Sequence, residues 1–295
     1  MRVAITGTTG QLGGRLFASG SVEAASGLTL LDCGRQIMDL GESDSIPAAL
    51  DSLEPDVVLS CAAYTAVDAA EDDSDAAFKI NGTAPGLLGK ACAERGIQVV
   101  HISTDYVFDG QGEAPYQAAD PTGPTGVYGA SKRAGEEALL DALPGASIVR
   151  VGWLYDREGR NFLNTMLRLG AEREVLTVVD DQWGCPTHVG DFAEDLLHWV
   201  RLGAERPNAV AGIHHYGHAG ITSWHGFASA ILHRVHPNVR VDAVQSDAFP
   251  TRAKRPAYSK LDERAFFERL GRAPISWETA LSRCLDAKFA LTDTA

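Results

Sequence analysis

Across 295 residues the chain carries 26 lysines and arginines against 39 aspartates and glutamates, a formal net charge of −13, with 45 % hydrophobic and 22 % charged residues. That composition supports a substantial globular core and argues against wholesale disorder. The acidic balance argues against nucleic-acid or anionic-membrane partners, because both need a broad positive face.

The first apolar segment, residues 3–6, reads as a strand and runs straight into Gly7-Thr-Thr-Gly10-Gln11-Leu12-Gly13. Gly7 lets the chain turn sharply, Gly10 lets backbone approach a pyrophosphate, and Gly13 lets the following helix pack closely on the strand. The helix N-terminus at Gln11 and Leu12 then offers free N–H groups and a partial positive charge to phosphates. The glycines are spaced three and three, not two and three as in the commonest dinucleotide fingerprint. A second strand over residues 28–31 ends beside Asp32. A carboxylate there suits the ribose hydroxyls of NAD, whereas nearby Arg35 suits the 2′-phosphate of NADP, so both NADPH and NADH remain open. Asp39 and Leu40 follow where an adenine ring could be walled in.

Further strands are expected over residues 57–60, 99–103 and 147–151, with helical spacing over 84–95 and 131–142 between them. This alternation predicts an α/β fold, a doubly wound parallel (Rossmann) sheet with helices on both faces. The acidic run 68–75 reads as a helix opening, where carboxylates favour the positive end of the dipole. Thr104 leaves its strand at the carboxyl edge, where ligands of such sheets bind, and its hydroxyl can steady the oxyanion of hydride addition. Tyr128 and Lys132 stand four residues apart, hence on one helix face with Cβ atoms roughly 5–6 Å apart. A lysine cation beside the phenol favours its phenolate and brings proton exchange nearer neutrality. Glycine turn, strand-end hydroxyl and Tyr/Lys helix, in this order, point to hydride-transfer catalysis.

The second half is less regular and rich in glycine and proline loops. It predicts a smaller C-terminal α/β substrate-binding domain, residues 151–187 and 236–295. The dinucleotide-binding domain spans 1–150, with segments from about 188–235 returning to it. Five cysteines, odd in number and without a Cys-x-x-Cys pair, suit free thiols in a reducing compartment. With no signal-peptide pattern and no run near the ~18 apolar residues of a membrane span, a cytoplasmic location is expected. His214-His215-x-x-His218 has no further ligand at suitable spacing, so no metal site is expected.

The extended short-chain dehydrogenases share these elements, and longer motifs narrow the match. Cys61-Ala-Ala-Tyr-Thr-Ala-Val-Asp68, Ser103-Thr-Asp-Tyr-Val-Phe-Asp-Gly110, Val127-Tyr-Gly-Ala-Ser-Lys132, Asn161-Phe-Leu-Asn-Thr-Met-Leu-Arg168, Asp181-Gln-Trp-Gly-Cys-Pro-Thr187 and Arg255-Pro-Ala-Tyr-Ser-Lys-Leu261 resemble the dTDP-4-dehydrorhamnose reductase family. The resemblance runs from the first strand to about residue 285. It implies NAD(P)H-dependent reduction of the 4-keto group of a nucleotide-linked 6-deoxyhexose, with Tyr128 as proton donor, Lys132 holding the nicotinamide ribose and Thr104 orienting the carbonyl. Ala62, Ala63 and Thr65 would touch the cofactor, and Val67, Asp105, Tyr106 and Trp153 the substrate. The basic stretch containing Arg252, Lys254 and Arg255 would face the substrate diphosphate, with Arg255 as the expected contact.

Two alternatives share this fold: a 4-epimerase or reductase of another nucleotide sugar, and a non-catalytic NADP-binding regulatory subunit. Sugar dehydratases normally have a glutamate where Tyr106 stands, which argues against dehydration. Some family members are described as dimers around a magnesium ion held by glutamates. Arg15 and Gly190 stand at those positions here, so a monomer or weak homodimer is expected.

Overall fold

In the computed structural model, residues 1–18 and 27–290 are described. The strands are β1 (Arg2–Ile5), β2 (Thr29–Asp32), β3 (Val57–Ser60), β4 (Gln98–Thr104), β5 (Ser147–Val151) and β6 (Leu154–Tyr155). After them come β7 (Val175–Val179), β8 (Trp183–Gly184), β9 (Thr187–His188), β10 (Gly212–His215), β11 (Thr222–Ser223) and β12 (Arg240–Val244). The helices are α1 (Gln11–Ala18), α2 (Ser45–Leu53), α3 (Val67–Ala70), α4 (Ser74–Phe78), α5 (Ala84–Ala93), α6 (Val127–Ala142), α7 (Phe162–Glu172), α8 (Val189–Glu205), α9 (Pro207–Val210), α10 (Trp224–Val235), α11 (Arg264–Arg269) and α12 (Trp277–Ala290).

Six strands form one sheet in the order β10-β5-β4-β3-β1-β2, each pair parallel. Strand side chains alternate in direction, so a sheet covered on both faces needs apolar residues on both. Val3, Ile5, Val57, Leu59, Val149 and Val151 pack towards α1 and α8, against Leu16, Phe192 and Trp199. Their neighbours Ala4, Val58, Val99 and Ile148 meet Leu50 of α2, Leu88 of α5 and Leu139 of α6. The doubly wound parallel sheet is therefore present.

One charged pair crosses this second layer. Arg150 of β5 reaches Glu136 of α6 through two bonds, Nε to Oε1 at 2.9 Å and Nη2 to Oε2 at 2.6 Å. Both side chains are almost wholly buried.

A separate core lies among α7, β7, α10 and α12, built on Leu163, Met166, Phe227, Ile231 and Leu281. Parallel pairing of β12 with β7 and of β6 with β9 frames it. The two halves interleave more than the predicted boundaries imply. β10 lies in the main sheet and α8 packs on it, whereas residues 224–235 pack as α10 in the second core. Phe266 of α11 goes the other way and stacks on Trp199 with ring centroids 4.1 Å apart. Apolar side chains, rather than chain order, decide these memberships; residues 291–295 lie outside the described residues.

Candidate active site

A cleft of about 550 Å³ opens along the carboxyl ends of β1, β3, β4 and β5. On one side lies the glycine turn. Gly7 has φ +69°, a left-handed conformation that favours glycine, and its Cα lies so close to β3 that a Cβ would meet the Ala62 nitrogen at 2.9 Å. Gly13 is fixed by packing, since a Cβ there would run into the Gly7 carbonyl. Thr6 Oγ1 accepts from the N–H groups of Cys61 and Ala62, both at 3.0 Å, joining this turn to the next loop. The first-turn N–H groups of α1 have no intrahelical acceptor and face the cleft, so the residues present fit a dinucleotide pyrophosphate.

Of the residues proposed for the cofactor, Gly7, Gly10, Gln11, Leu12, Gly13, Arg35, Asp39, Leu40, Ala62, Ala63, Thr65, Tyr128 and Lys132 line this cleft. Asp32 does not. It ends β2, and its Oδ1 accepts from Gly34 N–H at 2.8 Å. Arg35 is largely exposed and pairs with Asp39 at 3.0 Å. That bond and, more strongly, the Gly41 N–H hold the Asp39 carboxyl below its ordinary pKa.

The opposite wall carries Thr104, Asp105, Tyr106, Tyr128, Lys132 and Trp153. Thr104 ends β4, and its Oγ1 accepts from Tyr106 N–H at 3.2 Å while donating to Asp105 Oδ1 at 3.0 Å. Asp105 is buried, and burial raises its carboxyl to about 6 against hydrogen bonds that pull the other way. Tyr128 and Lys132 sit on the first turns of α6. The Tyr128 phenol is pushed far up by burial, which outweighs the opposing effect of the neighbouring Thr104 hydroxyl.

Here the structure corrects the sequence-level picture of a lysine-stabilised phenolate. Lys132 Nζ donates to Ile102 O at 2.7 Å and meets His101 Nε2 at 3.0 Å, so two of its three N–H bonds are held by β4. Burial lowers the ammonium to about 8, opposed by the charge of Glu136. His101, also buried, is driven well below 6.5 by burial and by Lys132, and it serves as a neutral acceptor. Its Nδ1 in turn meets Ser60 Oγ at 3.1 Å. Sequence reasoning missed His101 and Ser60. Their only signal is inward alternation on strands next to Thr104.

Trp153 is one of two non-glycine residues with positive φ among the described residues, at +53°. Such strain is held where surroundings over-determine it. Its Nε1 donates to Ser259 Oγ at 3.1 Å, and its ring stacks on Trp224 at 3.6 Å. Val67 lines the cleft near α3, whereas Arg255 does not. Arg255 bonds Asp68 Oδ2 at 2.6 Å and Tyr106 Oη at 3.2 Å, and Arg252 pairs with Asp72. Asp68 and Asp72 of the acidic run thus pair with two of the three cations expected to face a diphosphate, and Arg255 meets the cleft wall through Tyr106.

The histidine cluster disperses. His214 faces the Val210 and Ala211 carbonyls, His215 the Tyr116 carbonyl, and His218 the His188 backbone. Nor do the residues fit a magnesium ion held by glutamates: Arg15 Nη2 stands where a Cβ on Gly190 would meet it at 3.0 Å, and its Nε lies 3.8 Å from Asp156. A cation already occupies that corner, so no step is drawn through magnesium.

The chain matches the family model described as the RmlD substrate binding domain over residues 1–289. It is 39 % identical to a dTDP-4-dehydrorhamnose reductase of Burkholderia thailandensis, covering 97 % of this chain and 98 % of that one. Among solved structures, a dTDP-4-dehydrorhamnose reductase of Clostridium acetobutylicum superposes with TM-score 0.89 at 34 % identity, over 97 % of this chain and 99 % of the other. One from Bacillus anthracis, in complex with NADP, gives 0.87 at 33 % identity with the same coverage.

Proposed function

The chain belongs to the RmlD substrate binding domain family, and from that premise we propose that it reduces the 4-keto group of dTDP-4-dehydro-L-rhamnose to give dTDP-L-rhamnose, with NADPH, or NADH, as reductant. The observation that carries this reading is the single cleft in which Thr104, Tyr128 and Lys132 face a glycine turn built for a dinucleotide. Nicotinamide, when bound, supplies the hydride. Gly7, Gly10 and the α1 N-terminus hold the pyrophosphate. Ala62, Ala63 and Thr65 flank the cofactor along the β3 loop, and Arg35 meets a 2′-phosphate if one is present.

Tyr128 gives its proton to the sugar oxygen as hydride arrives at the carbon. A phenol kept neutral by burial is the right form for that task, since the oxygen becomes far more basic than a phenolate as the C–O double bond is lost. Thr104 turns its hydrogen from Asp105 towards the carbonyl oxygen and steadies the developing charge. Lys132 directs its remaining N–H to the nicotinamide ribose. Val67, Asp105, Tyr106 and Trp153 shape the sugar and base subsites, and Arg255 keeps Tyr106 in place through its hydroxyl.

Consumption of NADPH with dTDP-4-dehydro-L-rhamnose, and identification of the product by NMR, tests the reading. No oxidation with any 4-keto-6-deoxy sugar nucleotide, together with co-purification of another enzyme, would favour the regulatory-subunit alternative.

No helix among the described residues is long and apolar enough to cross a membrane, and the cysteines are free. A cytoplasmic enzyme that is a monomer or weak homodimer is part of the same proposed reading.

Lys132→Ala is expected to weaken NADPH binding roughly 10- to 100-fold, the worth of a charge-assisted hydrogen bond, and to lower turnover as well. Because Lys132 loses its proton near 8, wild-type affinity should be flat below pH 7 and fall above pH 8. Fluorescence titration of NADPH across that range checks both points. Unchanged affinity in the variant would remove the ribose contact.

A further inference from the structure

Two polar side chains lie in the apolar layer beneath Lys132. Parallel register sets Ser60 of β3 beside His101 of β4. Each stands two positions after a valine that packs towards α6, Val58 on β3 and Val99 on β4, so both point into that layer. Ser60 and His101 are each 1 % exposed, and polar groups buried this deeply are kept where they are bonded.

Their bonds form a chain with one sense. The Lys132 ammonium has three N–H groups and no acceptor. One donates to Ile102 O at 2.7 Å, and a second meets His101 Nε2 at 3.0 Å. A hydrogen on Nε2 would set two donors against each other, so that nitrogen is bare and the ring hydrogen is on Nδ1. Nδ1 lies 3.1 Å from Ser60 Oγ, which therefore accepts. Burial and the adjoining ammonium keep the ring from taking a second proton.

We propose that His101, fixed in this tautomer by Ser60, is a positioning residue for the cofactor: with Ile102 O it takes two Lys132 N–H groups and leaves the third aimed at the nicotinamide ribose. The role rests on the cleft being a dinucleotide site. A lone carbonyl acceptor would leave a long, flexible side chain free to swing about that one bond, whereas two acceptors fix Nζ. The imidazole also favours the charged lysine, since a neutral acceptor stabilises an ammonium against burial. Glu136 and then Cys61 act on Lys132 as well, and Tyr128 stands one turn before it, so His101 is one support among several.

NADPH titrations across the range in which Lys132 loses its proton, run without any sugar, test the role. His101→Phe is expected to weaken binding about tenfold at neutral pH, the worth of one bond to a charged group, and to move the alkaline loss of affinity to lower pH. Ser60→Ala should move that limb the same way by less; an unmoved limb removes Ser60 from the role. Should His101→Phe fail to fold, nitrogen-15 spectra of the wild-type imidazoles decide, with His101 expected to carry its hydrogen on Nδ1 and none on Nε2. An Nε2–H tautomer or an imidazolium at neutral pH overturns the role. So does a folded His101→Phe with affinity within twofold of wild type, or one that binds weakly with the limb unmoved, the mark of a packing defect. A wild-type chain that binds neither NADPH nor NADH overturns the dinucleotide reading itself, and the positioning role with it.

Discussion

Tyr128→Phe should lower turnover by about 10²- to 10⁴-fold, the usual contribution of a positioned general acid, while leaving NADPH affinity within about twofold. The asymmetry follows from where the hydroxyl sits. It sits among Thr104, Asp105 and the Tyr106 ring, all on the substrate wall. The cofactor turn lies across the cleft. Phenylalanine keeps the ring and its edge-on contact with Tyr106, whose centroid is 5.6 Å away, so packing barely changes. Steady-state NADPH oxidation and a direct binding titration on the same preparation check both halves. Turnover within threefold of wild type would remove Tyr128 from the reaction and leave the proton to another donor.

The second large effect is on stability. Glu136→Ala strands the Arg150 guanidinium in the layer between β5 and α6, where it has lost a bidentate carboxylate. Leaving one partner of a buried pair uncompensated costs about 3–5 kcal/mol. At this size that lowers the melting temperature on the order of 10 °C. Replacing both partners with apolar residues, Glu136→Leu with Arg150→Met, should recover most of the loss, because neither charge is then buried alone. Calorimetry of the two single variants and the double variant gives the comparison. Single losses below 1 kcal/mol would mean that water reaches the pair. A catalytic signature accompanies the structural one. Glu136 lies one helical turn beyond Lys132 and its charge holds the lysine pKa up, so without it the alkaline loss of cofactor affinity should begin at lower pH.

What could be read from the sequence was local. The turn from Gly7 to Gly13, the short apolar strands and the Tyr128–Lys132 face each depend on residues within a few positions of one another. Spacing alone therefore encodes them. The direction of Lys132 was not legible, because its acceptors His101 and Ile102 belong to a strand some 30 residues earlier. Nor was the fate of Arg255, which finds Asp68 from 187 positions away. A basic stretch reads as a phosphate site until the fold brings carboxylates to it. The phenol went wrong for a related reason: charge proximity is visible in a helical repeat, but burial is not, and burial dominates the Tyr128 environment.

The strand order also bears on the chain as it leaves the ribosome. β10 closes the sheet beside β5, and Phe266 completes the core behind it through Trp199. For about sixty residues of synthesis after β5, the nascent protein therefore holds an open parallel edge with nothing to pair it. A growing chain in that state is a template for mispairing. Pauses in translation between residues 151 and 215 should be the ones that most reduce the yield of folded enzyme.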